Sequence, residues 1–149
     1  MKKIQWQDSL SLGIEVIDKQ HKQWIQYFND TNEAVASQKN RTQISKTLGF
    51  LLDYTETHFS TEERFMSESR YGGFQEHKAK HDELRSTLKN LVKDYEDEGI
   101  TSNLTEAIDS FLGNWLVNHI QEVDKKFGSF IRVTACDDHR SRSHLGVSE

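Results

Sequence analysis

The chain has 149 residues, a length that suits one domain with a sizeable core, and its formal net charge of −5 argues against nucleic acid as the main partner. With 34% hydrophobic residues and a mean hydropathy of −0.78, the apolar side chains must be concentrated on few faces. No window approaches the ~18 continuous apolar residues of a membrane span, the start lacks the apolar stretch of a secretory signal, and the single Cys136 excludes an internal disulfide framework, which together fit a reducing cytoplasm.

Residues 1 to about 16 read as an arm, with Trp6, Leu10, Leu12 and Ile14 available to pack across helices. A first helix is predicted over about 18–37, from the stripe Ile17, His21, Trp24, Phe28 and Val35. Asn40 can cap a second helix over 41–69, with Gln43 in the third position. Its stripe, Ile44, Leu48, Leu51, Thr55, His58, Glu62 and Phe65, runs straight through Ser60-Thr61-Glu62-Glu63. That quartet resembles a capping box, but the unbroken stripe argues against a new start there. Tyr71-Gly72-Gly73 is the sharpest turn signal. The third stripe, over 74–98, is Phe74, His77, His81, Leu84, Leu88, Leu91 and Tyr95, with Gly99 as its stop. Asn103 with Glu106 resembles the cap of a fourth helix over 103–130, whose stripe is Leu104, Ile108, Phe111, Trp115 and His119. Four amphipathic helices with short connections predict an all-α, antiparallel up-down four-helix bundle over residues 1–131, followed by a polar C-terminal tail or linker over 132–149.

The chemistry lies in the polar members of these apolar stripes. His58 with Glu62 and His77 with His81 are four apart, so each pair presents two ligand-type side chains in one direction. His21 and His119 occupy the other two stripes, with Asp124 beyond. A single histidine on an apolar stripe is ordinarily a hydrogen-bonded core residue. Every predicted helix contributes one here, and burying them all without partners is costly. A dinuclear metal centre in the bundle core satisfies them. Structural zinc favours four ligands, often with thiolates, and calcium and magnesium want oxygen-rich shells. Five imidazoles with two carboxylates suit iron, copper, nickel or zinc, and carboxylates that bridge suit a pair of ions. Iron is the choice, with manganese and zinc as weaker options. One spacing resists this reading. His119 and Asp124 are five apart, about 140° around an ideal helix, and periodicity alone favours Glu122.

Several of these pieces resemble the hemerythrins, particularly the single-domain bacterial members. They are Ile17-Asp18-Lys19-Gln20-His21-Lys22, His58-Phe59-Ser60-Thr61-Glu62-Glu63, His77-Lys78-Ala79-Lys80-His81, and Trp115-Leu116-Val117-Asn118-His119-Ile120 with Asp124. Trp6 fits as well, and the resemblance covers roughly residues 4–131. It implies a non-haem di-iron centre that binds dioxygen reversibly, with two iron ions (ferrous or ferric) per chain. Carried over by position, His77, His81 and His119 would hold one iron and His21 and His58 the other. Glu62 and Asp124 would bridge them beside a bridging oxo or hydroxo group. One coordination position then stays open at the iron of His21 and His58. Dioxygen would bind there, taking two electrons from the pair and a proton from the bridging hydroxide. The resemblance also selects Asp124 over Glu122. Trp24, Phe59, Trp115, Leu116 and Ile120 flank ligands at helical spacing and are expected to line the oxygen pocket, with Leu116 closest to bound oxygen.

The expected function is therefore oxygen transport, storage or delivery in the cytoplasm. The competing readings are an oxygen- or redox-sensing domain of a signalling protein and a di-iron peroxidase-type enzyme. Oxygen-activating di-iron sites use more carboxylates and fewer histidines, so no enzymatic activity is expected. The partners are dioxygen and an oxygen-consuming enzyme or a signalling output domain, with no nucleic acid and no membrane span. Cys136, His139 and His144 fall in the tail and are expected to be solvated.

Overall fold

The computed structural model describes residues 3–133. Four long helices dominate them: α1 (Glu15–Ala36), α2 (Arg41–Glu68), α3 (Phe74–Glu98) and α4 (102–133), joined through 37–40, 69–73 and 99–101. There is no strand among the described residues. Connections this short return each helix against its predecessor, and α1 packs on α2 and α2 on α3 in an antiparallel four-helix bundle.

The ends are set by local chemistry. The Asn40 side chain accepts from the Gln43 backbone N–H at 2.9 Å and starts α2, which then runs unbroken through Ser60–Glu63. α4 begins differently from the expected Asn103 cap. Thr101 Oγ1 accepts from the Leu104 N–H at 3.0 Å, placing the first helical residue at Ser102. α1 starts at Glu15, three residues before the expected 18, and α4 reaches 133 rather than 130. The turn after α2 also uses an unexpected residue. Arg70, not a glycine, takes the positive φ of 56°, and the Tyr71 N–H closes back onto the Met66 carbonyl at 3.0 Å. Gly99, with φ of 74°, does end α3.

The arm is tied down rather than loose. Asn29 Oδ1 accepts from the Ile4 N–H at 3.0 Å while Asn29 Nδ2 donates to the Ile4 carbonyl at 2.8 Å. Asp18 receives the Leu12 N–H at 2.7 Å and the Ser11 hydroxyl. Leu10 and Leu12 are buried, and a Cβ on Gly128 would stand 3.1 Å from Leu12, so the arm crosses α4 where the chain has no side chain to obstruct it. Trp6 is half-buried under the Lys22 ammonium, 5.0 Å from its ring centre. Of the expected tail, residues 134–149, including Cys136, His139 and His144, lie outside the described residues.

Inside the bundle, one end is hydrocarbon: Phe28, Val35, Ile44, Leu48, Leu51, Leu88, Leu91, Leu104, Ile108 and Leu112 are all buried. Each such side chain contributes about 1.5–3 kcal/mol of burial free energy. Towards the arm and the 69–73 turn the same faces carry the buried polar residues His21, His58, Glu62, His77, His81, His119 and Asp124.

Candidate metal centre

α2 and α3 deliver two donors each from ordinary helical spacing. α1 contributes His21, and α4 contributes His119 and Asp124 through a distorted turn. Between His119 and Asp124 the helix is π-helical, and the Lys125 N–H reaches back five residues to the Ile120 carbonyl. Bonding from i to i+5 widens the turn, so residues five apart approach one face. This is why Asp124, and not Glu122, points inward: Asp124 is fully buried and Glu122 is exposed.

The seven side chains form one cluster with an internal division. Asp124 Oδ2 lies 2.9 Å from His21 Nε2, whereas Asp124 Oδ1 lies 2.9 Å from His77 Nε2 and 3.1 Å from His119 Nε2. Glu62 repeats the pattern. Its Oε2 faces His21 and His58 at 3.5 and 3.4 Å, and its Oε1 faces His77 and His81 at 3.4 and 3.1 Å. Each carboxylate thus turns one oxygen to a two-histidine group and the other to a three-histidine group.

Eleven buried side-chain nitrogen and oxygen atoms of the described residues have no hydrogen-bond partner, and every one belongs to these seven residues. Native interiors rarely leave buried polar groups unpaired, and here nine of the eleven, all but His21 Nδ1 and His77 Nδ1, converge on one place. The donor set, five imidazoles and two shared carboxylates, fits a pair of imidazole-preferring transition-metal ions.

Electrostatics fit the same conclusion. Burial works to lower the pKa of His21 and His77, yet the Asp124 and Glu62 carboxylates overcome it and push both up to about 9. Burial dominates at His58, which is lowered. Both carboxyls sit well below the usual range despite their burial, Glu62 through His58, His21 and His77, and Asp124 through His119 and His21. In the metal-free fold the two carboxylates are thus offset by protons on His21 and His77, positive charge that a pair of metal ions would supply in their place.

Two histidines have their orientation set from behind. The Gln20 amide nitrogen donates to Thr61 Oγ1 at 3.3 Å, and the Thr61 hydroxyl is itself committed to the Thr57 carbonyl. Gln20 Oε1 must then accept, and His58 Nδ1–H donates to it at 2.8 Å, leaving His58 Nε2 bare towards the centre. Glu63 Oε2 accepts from His81 Nδ1–H at 2.7 Å with the same result. Sequence reasoning passed over Gln20 and Glu63, although both adjoin ligand positions and both lay within the quoted motifs. It also missed Arg85, one turn beyond His81, which holds Glu63.

Of the expected oxygen-pocket residues, Trp24, Phe59, Leu116 and Ile120 are buried and Trp115 is half-buried. Phe59 stacks on His81 at 3.8 Å and Trp115 on His119 at 4.4 Å, both nearly parallel. Trp24 stands 5.0 Å from His58 and 6.2 Å from His21, with its indole N–H donated to Thr55 Oγ1 at 2.8 Å. Phe59 and Trp115 thus lie against the three-histidine group and Trp24 against the other, and the three rings touch one another at 5.4–6.4 Å between centres.

Residues 12–131 match the family model described as the hemerythrin HHE cation binding domain. A bacteriohemerythrin of Methylococcus capsulatus is 36% identical over 111 residues, covering 74% of this chain and 82% of that protein. A myohemerythrin of Sipunculus nudus is 27% identical over 122 residues, covering 82% and 88% respectively. A crystal structure of wild-type hemerythrin aligns with a TM-score of 0.76 at 32% identity, over 86% of this chain and 97% of the other. With the buried seven-residue cluster in the same bundle, these likenesses settle the kinship: the chain belongs to the hemerythrin family.

Proposed function

We propose that this chain binds dioxygen reversibly at a di-iron centre, for oxygen transport, storage or delivery. In this reading His77, His81 and His119 hold one iron, His21 and His58 hold the other, and Glu62 and Asp124 join them. The observation that carries it is the division of the carboxylate oxygens. Each of Glu62 and Asp124 gives one oxygen to the two-histidine group and one to the three-histidine group. When bound, the iron pair supplies the two electrons that a bound dioxygen takes up.

The protein's own residues supply asymmetry and exclusion. The two-histidine group offers four protein donors and the other group five, so an exogenous ligand is best accommodated on the side of His21 and His58. Trp24 walls that side, and Leu116 and Ile120 belong to the same buried apolar cluster as Trp24. An apolar surround keeps water and anions away from the centre and disfavours escape of charged reduced oxygen. Five neutral imidazoles against two carboxylates give little anionic donation for oxygen activation, which supports binding over turnover. No helix among the described residues is long and apolar enough to cross a membrane.

The test is spectroscopic. Iron-loaded, reduced protein is recorded under inert gas, after admission of air, and after renewed purging. The proposal expects a new visible absorption in air that purging removes, with the starting spectrum restored. Irreversible oxidation at the first exposure, or sustained consumption of a reducing substrate, would overturn it.

A further inference from the structure

The residues behind the histidines break the symmetry of the centre in a second way. His58 Nδ1–H donates to the neutral amide oxygen of Gln20 at 2.8 Å, whereas His81 Nδ1–H donates to a full carboxylate, Glu63, at 2.7 Å. Glu63 is fixed in place by Arg85, whose Nη1 reaches Glu63 Oε2 at 2.8 Å and whose Nη2 reaches Glu63 Oε1 at 3.2 Å. Arg85 is held in turn by Glu56 at 2.8 Å and Asp82 at 2.9 Å, and its guanidinium lies 5.2 Å over the Phe59 ring. Phe59 stacks flat on His81, so this imidazole is located by its Nδ1–H and by its face. Nothing comparable backs His77 or His21, whose Nδ1 atoms have no hydrogen-bond partner.

A carboxylate acceptor draws the Nδ1 proton more strongly than an amide and makes the opposite nitrogen a stronger donor to a cation. We infer that Glu63, clamped by Arg85, and Gln20 are positioning residues that make the two metal positions chemically unequal, with the ion beside His81 held harder and favoured in its oxidised state, and the ion beside His58 left more weakly donated. This rests on the di-iron reading for its relevance to oxygen. Strong donation on the coordinatively full side stabilises the charge built up when the pair gives electrons. Weaker donation on the open side avoids locking a ligand in place, which reversibility requires. The choice of one neutral and one anionic acceptor is not demanded by packing, because Gln and Glu are nearly the same size.

Glu63→Gln removes the charge and keeps an acceptor of the same shape, and Gln20→Glu does the opposite. Stepwise Zn2+ affinities are measured by chelator competition on full-length protein whose fold is checked by circular dichroism. Second-sphere changes typically cost 10–100-fold in metal affinity. We expect Glu63→Gln to weaken the tighter of the two Zn2+ steps by that factor and to leave the weaker step nearly unchanged. Gln20→Glu should tighten the weaker step, and it tests the idea even if the Glu63 variant folds poorly. In the iron form, Glu63→Gln should also raise the reduction potential, by about 59 mV for a tenfold selective loss of the oxidised ion. Equal effects on both steps, or unchanged affinities and potential with two ions retained, would overturn the inference. Zn2+ takes no part in oxygen chemistry, so this outcome stands apart from the fate of the dioxygen reading.

Discussion

Towards the loops at 37–40 and 99–101 the bundle interior is made of Val35, Ile44, Leu91 and Leu104, whereas towards the 69–73 turn the same four helices bury His21, His58, Glu62, His77, His81, His119 and Asp124. The first end meets its own needs, since each side chain gains by leaving water and asks for no partner. At the second end nine polar atoms without a hydrogen-bond partner face one another across a shared centre, an arrangement that a pair of cations would complete. The hydrocarbon end thus supplies the stability that lets the other end hold a costly, preorganised ligand set. Stability and function are separated along one bundle axis.

The sharpest way to break this comparison is at a shared carboxylate. Asp124→Ala should abolish the iron pair, reducing metal analysis from two ions per chain to one or none. Glu122→Ala should retain both, because Glu122 is exposed on the outer side of the π-helical turn. The reverse ranking would mean that ordinary helical periodicity, not the widened turn, orients the ligand.

Next come the two interiors themselves. Phe28→Ala, at a fully buried position of the hydrocarbon end, should cost about 3–5 kcal/mol in chemical denaturation, equally with and without metal. His77→Leu should behave oppositely. Compared above about pH 9, where His77 has lost the proton it shares with Asp124 and Glu62, metal-free protein should be as stable as the parent or more so, while the stabilisation gained on metal loading should largely vanish. A large loss in the metal-free His77 variant would show that the polar end is self-sufficient.

pH sharpens the same contrast. His21 and His77 are raised to about 9 in the fold from 6.5, so their contribution to metal-free stability is complete below about 6.5 and disappears as pH rises through about 9. Metal-free protein should therefore lose stability across that window. Metal binding must displace the same protons, so apparent metal affinity should rise over the same interval. Melting curves and chelator titrations between pH 6 and 9.5 check both directions, and slopes of the same sign would contradict the account.

The smallest expected effect is at the pocket wall. Leu116→Ala should leave two irons bound and shorten the lifetime of the oxygenated protein several-fold by admitting water, read as the decay of its visible absorption with iron content measured alongside. An unchanged decay would remove Leu116 from the oxygen pocket.

Where sequence and structure agree, the reason is regular periodicity. The stripes of α2 and α3 place His58 over Glu62 and His77 over His81 because the helices are ordinary there, so spacing alone sufficed. Asp124 could not be read this way. Its inward aim depends on an i to i+5 turn, and nothing in His119-Ile120-Gln121-Glu122-Val123-Asp124 marks that local change; only the family resemblance selected it. The cap at Thr101 was hidden by the better-looking Asn103 and Glu106 pair, since several residues nearby are competent caps and packing decides between them. Gln20, Glu63 and Arg85 escaped because they lie beside the ligand stripes, on half-buried flanks where hydrophobic periodicity carries no signal. The aromatic residues were correctly placed near the ligands by spacing, but spacing could not tell that Phe59 and Trp115 would stack on imidazoles of the three-histidine group while Trp24 approached the other.

The central claim is that Glu62 and Asp124 each join two metal ions, and anomalous diffraction at the iron edge from crystals of iron-loaded protein tests it most directly. The account predicts two anomalous peaks per chain, one contacted by His21 and His58, the other by His77, His81 and His119, with one oxygen of each carboxylate on each peak. A single fully occupied peak, or a second peak that touches neither Glu62 nor Asp124, would contradict it.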